Sequence, residues 1–111
     1  MTSKRVGMVI GIREERIADY REVHGDDHPG VRDLLLKANM RDFSIFISQF
    51  PDGKHYLFGY YEYTGTDFEG DMKVLAAQKR NVEWLAMTDP MQIPVPGEKG
   101  WSIMDRVYYN N

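Results

Sequence analysis

Two period-two runs joined by one tight turn constrain this chain more than any other feature. Between Asp42 and Ser48, Phe43, Ile45 and Ile47 alternate with Asp42, Ser44 and Ser48, the pattern of a strand with one buried face. Phe46 alone breaks the polar side. Phe50-Pro-Asp-Gly-Lys54 then supplies turn chemistry, since Asp-Gly suits a position of positive φ, and Tyr56 to Tyr63 resumes as an aromatic strand. A hairpin is expected here, and it commits the chain to an antiparallel sheet.

The flanking segments fit around that hairpin. Arg5 to Ile12 holds Val6, Met8, Val9 and Ile10 between glycines, the length and β-branched bias of a buried strand. From Glu14 to about Gly25, Ile17, Tyr20 and His24 recur at i, i+3 and i+7, which predicts a helix. Gly25 and Pro29 stop that helix, and a second, kinked segment runs from Pro29 to about Ala38. Thr66 or Asp67 can cap a further helix through Phe68, Met72 and Leu75, continued by Val82, Trp84 and Leu85 up to Pro90. Pro94-Val-Pro96-Gly97 is a rigid connector, and Trp101 to Tyr109 alternates again as a last strand. The order is strand, helix, strand, strand, helix, strand: a ferredoxin-like βαββαβ, α+β fold with an antiparallel sheet and helices on one face. Large apolar groups on both sheet faces, notably Phe58, Tyr60 and Tyr61, imply that a second copy covers the open face as a homodimer.

The 111 residues suit one domain spanning 1–111, with a 42% hydrophobic and 28% charged balance ordinary for a folded chain. A formal net charge of -3 and scattered basic residues argue against nucleic acid as a partner. Cysteine is absent, which removes disulfide, thiolate and zinc-thiolate chemistry and fits a reducing compartment. Met1 to Arg5 precedes only a short apolar run, and no stretch approaches the ~20 apolar residues of a membrane span. A cytoplasmic protein with no membrane partner is expected.

Tyr20-Arg-Glu-Val-His24-Gly-Asp-Asp-His28-Pro29 concentrates the candidate chemistry. It sets a phenol and an imidazole one turn apart where a helix must stop, and imidazole exchanges a proton near neutral pH. The same spacing also describes a core tyrosine beside a partly buried histidine. Metal binding by His24, His28, Asp26 and Asp27 is disfavoured, because Gly25 and Pro29 break the helix that a two-histidine site requires. Trp84 offers an apolar platform for the C–H face of a sugar, and Glu83 and Asp89 offer acceptors for hydroxyls, although a core Trp84 and a capping or turn Asp89 are the plainer account of the residues alone. Phosphate-loop, dinucleotide and Ser-His-Asp spacings are missing.

Taken in order, Val6 and Met8, Tyr20-x-x-x-His24 with Pro29, Asp42-Phe-Ser-Ile-Phe46, Leu57-Phe58 with Glu62, Trp84-x-x-Met87-Thr-Asp89-x-Met91 and Val107-Tyr108 resemble the L-rhamnose mutarotases. The resemblance covers nearly the whole chain. It implies a sugar 1-epimerase on a dimeric α+β barrel, with a monosaccharide as its small-molecule partner and neither cofactor nor metal. It further implies that His24 is the catalytic acid/base, that Tyr20 contacts the sugar, and that Trp84 matches the second of a pocket tryptophan pair. Three positions depart from the family pattern. Glu83 stands where the first tryptophan is usual, Phe43 where a sugar-contacting tyrosine is typical, and His28 where a tryptophan precedes the proline. These exchanges alter the hydrogen-bond map, so L-rhamnose is the first expectation and L-fucose or another hexose the next. The competing readings are a cofactor-free oxygenase on the same scaffold and a non-enzymatic sugar-binding module.

Overall fold

The computed structural model describes residues 4–111, so Met1 to Ser3 of the expected domain and N-terminal segment lie outside the described residues. The hairpin anticipated from the alternation forms one side of the sheet. Strand β2 (Met40–Gln49) pairs antiparallel with β3 (His55–Tyr63) in a register that sets Phe46 opposite Phe58. Its turn uses the local chemistry of the sequence: Gly53 adopts φ 86°, Phe50 N–H donates to the Lys54 carbonyl at 2.9 Å, and Asp52 accepts from Lys54 N–H at 2.8 Å. Strand β1 (Lys4–Ile12) pairs with the other side of β3, Lys4 facing Tyr63 and Ile12 facing His55.

The far edge of β1 is shared by two short strands. Gln92 and Ile93 form β4 (Gln92–Ile93), opposite Ile12 and Gly11, and β5 (Ser102–Met104) lies opposite Val9, Met8 and Gly7. The strand order β2-β3-β1 followed by β4 and β5 is the ferredoxin-like order. The last strand is shorter than the expected Trp101 to Tyr109. Extending the register of β5 past Met104 and Gly7 would bring Arg106 opposite Arg5, a like-charge pair that weakens a ladder. The chain leaves the sheet instead, Val107 is 96% exposed, and the Tyr109 ring lies under the Arg5 guanidinium, 3.9 Å from its centroid.

All helices pack on one face. Helix α1 (Ile17–Val23) follows a 3-10 turn at Glu14–Arg16, and α2 (Arg32–Lys37) follows the Gly-Pro break. The second helical region divides into α3 (Phe68–Ala77) and α4 (Lys79–Thr88) because Gln78 takes an extended conformation between them. Asp67 caps α3, accepting the Gly70 N–H at 3.1 Å. The core has two clusters on alternate positions of β1 and β3. Val6, Met8, Tyr61 and Tyr63 meet Leu35, Phe68, Met72 and Leu75 in one, and Ile10, Ile12 and Leu57 meet Tyr20 and Met91 in the other. Trp101 packs against both. On the opposite face Phe50 packs against Tyr56 and Phe58 at centroid separations of 5.0 and 6.0 Å, and Phe46 is 65% exposed.

Candidate functional site

A cleft of about 750 Å³ opens on the helical side, between the α1 to α2 segment, the end of α4 and strand β2. That volume lies within the range of small-molecule sites. Tyr20, His24, His28, Phe43, Trp84 and Asp89 all line it. Glu83 does not: it is exposed on α4, outside the lining, so the acceptor expected there is not brought to the site. Asn81 and Gln92, both buried, and Arg32 also line the cleft and were missed by sequence reasoning. Arg32 and Asn81 carry no distinguishing local spacing. Gln92 sits just past Met91 on a two-residue strand too short for periodicity to reveal.

His24 is held at the end of α1 by its own helix. The Tyr20 carbonyl accepts both the backbone N–H of His24, at 3.2 Å, and its ring Nδ1–H, at 2.7 Å. A carbonyl oxygen only accepts, so Nδ1 carries the proton and, in the neutral ring, Nε2 holds the lone pair. The ring stacks on Tyr20 with centroids 4.1 Å apart and forms a T-shaped pair with Trp84 at 5.1 Å. Burial lowers the His24 pKa from its ordinary value; the Tyr20 hydrogen bond opposes this, and the charges of Arg32 and His28 reinforce it. Arg32 also clamps the turn after His24, donating to the carbonyls of His24 at 3.1 Å, of Gly25 at 3.0 Å and of His28.

Trp84 is seated by Gly30. Residue 30 has φ 55°, and a Cβ there would come within 3.2 Å of the Trp84 ring, so glycine serves both the backbone and the close approach. The His28 ring lies 6.1 Å from that of Trp84, and its Nδ1 is buried with no hydrogen-bond partner among the described residues. Phe43 stacks on Tyr61 with centroids 5.4 Å apart, its edge of the cleft therefore apolar. Burial raises the Asp89 pKa, favouring the protonated acid more than usual. Tyr20 is only 6% exposed, and its hydroxyl accepts a hydrogen bond from Gln92 Nε2 at 3.1 Å. Burial, opposed by that bond, pushes its pKa up to about 12, so the phenol stays protonated at neutral pH.

The cleft thus brings together an imidazole of fixed tautomer, a protonated phenol and an indole on a small α+β domain, a set of groups suited to acid/base work on a small polar molecule. A family model described as L-rhamnose mutarotase matches residues 5–110, and the chain belongs to that family. The fold is shared with an L-rhamnose mutarotase from Formosa agariphila, at a TM-score of 0.71 and 16% identity over 97% of this chain and 99% of that one. It is shared more loosely with a proposed antibiotic biosynthesis monooxygenase from Nitrosomonas europaea, at a TM-score of 0.52 and 11% identity over 100% and 98% of the two chains. Comparison with curated proteins finds no match. Among the described residues, no helix is long and apolar enough to cross a membrane.

Proposed function

We propose that the chain interconverts the α and β anomers of a free sugar, L-rhamnose first among them, with His24 as the acid/base. The observation that carries this reading is the His24 ring itself, tied at Nδ1 to the Tyr20 carbonyl in the wall of the cleft. The Nε2 lone pair takes the proton from the anomeric hydroxyl and returns it to the ring oxygen as the bond from C1 to that oxygen breaks. Both oxygens are bonded to C1, so one nitrogen can serve both. The aldehyde rotates about its bond to C2, and reversal of the same transfers closes the ring on its other face. Trp84 supplies an apolar surface to the sugar, and Tyr20 and Asp89 supply polar contacts.

Phe43 and His28, both lining the cleft, favour a hydrogen-bond pattern distinct from that of the family. The aromatic open face, with Phe46 65% exposed and Phe50, Tyr56 and Phe58 in contact, supports a homodimer formed through it. Cytoplasmic residence belongs to the same reading, cysteine being absent from the sequence. Saturation-transfer NMR of anomer exchange over L-rhamnose, L-fucose, D-galactose, D-glucose and L-lyxose tests it. Acceleration of at least one of these sugars by the wild type, strongest for L-rhamnose, is the expected result. Spontaneous rates across the panel would overturn it.

A further inference from the structure

Gln92 and Tyr20 are 72 residues apart in the chain, yet the amide nitrogen of one donates to the hydroxyl of the other in a buried contact. The arrangement is built by the backbone. Strand β4 holds Gln92 opposite Ile12, and Gly11 lets the strand come close, since a Cβ at Gly11 would lie 2.8 Å from the Ile93 carbonyl oxygen. Arg13 fixes the turn before it, donating its backbone N–H to the Met91 carbonyl at 2.9 Å and its Nε–H to the Pro90 carbonyl at 3.0 Å. Gln92 is thereby only 8% exposed and stands beside Tyr20 in the lining of the cleft.

A phenol has one proton and two lone pairs. Because Gln92 donates, it occupies a lone pair and the phenolic proton is not spent on it. We propose that Gln92 is a positioning residue that makes Tyr20 a hydrogen-bond donor toward the sugar in the cleft. This rests on the sugar mutarotase reading of the same site. In the resulting picture Tyr20 donates to an oxygen of the bound sugar while His24, stacked on the phenol, handles the proton of the anomeric hydroxyl. The phenol's high pKa suits this role, because Tyr20 lends its proton without losing it.

The test uses Gln92→Leu and Gln92→Glu, each alone and combined with Tyr20→Phe, in the full chain. Exchange of L-rhamnose anomers and the 13C resonance of the Tyr20 ring carbon bearing the hydroxyl, assigned by its loss in Tyr20→Phe, are both read at neutral pH. Gln92→Leu is expected to lower kcat/KM about tenfold, the scale of one hydrogen bond, and to cost nothing more once Tyr20 is phenylalanine. Gln92→Glu is expected to fall further, because a carboxylate accepts the phenolic proton and turns it away from the cleft. Equal losses from Gln92→Leu in both backgrounds, or full activity in Gln92→Glu, would overturn the proposal. Should the wild type leave exchange at its spontaneous rate, the mutarotase reading fails. The sign of the Tyr20 shift still decides the orientation: a downfield move on Gln92→Leu, as the phenol oxygen loses a donor, supports donation by Gln92, and an upfield move or none overturns it.

Discussion

The ring Nδ1 of His24 lies 2.7 Å from the Tyr20 carbonyl oxygen, which also accepts the backbone N–H of His24 at 3.2 Å. One oxygen thus takes the last N–H of the helix and sets the tautomer of the imidazole. A residue four positions earlier on α1 does both, so the orientation of His24 is a property of the helix end rather than of the cleft.

His24→Gln removes the titrating nitrogen while keeping a polar side chain of similar reach. Anomer exchange is expected to fall by about 10²- to 10⁴-fold, the contribution of a positioned acid/base, with sugar affinity little changed. Saturation-transfer NMR measures the rate, and calorimetry the binding. Exchange equal to that of the wild type would remove His24 from the mechanism.

The lowered pKa of His24 has a definite sign in the pH profile. As a base it works neutral, so the acid limb of kcat/KM should have its midpoint below the ordinary imidazole value of about 6.5. For stability, the unfolded chain binds the proton more readily than the folded one. The His24 contribution is therefore intact above the unfolded pKa and lost as pH falls through the folded one. NMR titration of the His24 ring protons checks the midpoint directly.

Arg32→Met deletes the three donors to the carbonyls of His24, Gly25 and His28 and also removes a positive charge that lowers the His24 pKa. The acid limb should move upward, and amide exchange over residues 24–28 should accelerate as the turn loosens. A pH profile unchanged from wild type would show that Arg32 exerts no effect on the imidazole.

Gly30→Ala places a methyl group against Trp84 at a residue with φ 55°. The strain of a side chain at positive φ costs on the order of 1 kcal/mol, and displacement of the indole adds to it. Urea denaturation followed by tryptophan fluorescence should show the loss, together with a raised KM for the sugar. Wild-type stability and KM would mean that the indole moves freely.

Phe46→Asp puts a charge at the centre of the exposed aromatic face, where Phe46 faces Phe58 across the ladder. Burial of an unpaired charge opposes association by several kcal/mol, so sedimentation should shift from dimer to monomer. Identical sedimentation of variant and wild type would exclude this face as the interface.

What the sequence determined is local. The alternation of Phe43, Ile45 and Ile47, the Asp52-Gly53 turn, and the stop at Gly25 and Pro29 depend on residues within a few positions of one another, and the elements follow them. The stacking of Tyr20 on His24 is legible for the same reason, since i and i+4 share a helix face. The end of the last strand was not legible, because it turns on the register that would oppose Arg106 to Arg5. Exclusion of Glu83 from the cleft, seating of Trp84 on Gly30, and donation from Gln92 to Tyr20 are likewise decisions of the tertiary structure. These contacts join segments far apart in the chain, and only packing of the helices and β4 against one sheet brings their atoms within reach. The sequence by itself placed an imidazole at a helix end; the fold decided which groups surround it and in which direction their protons point.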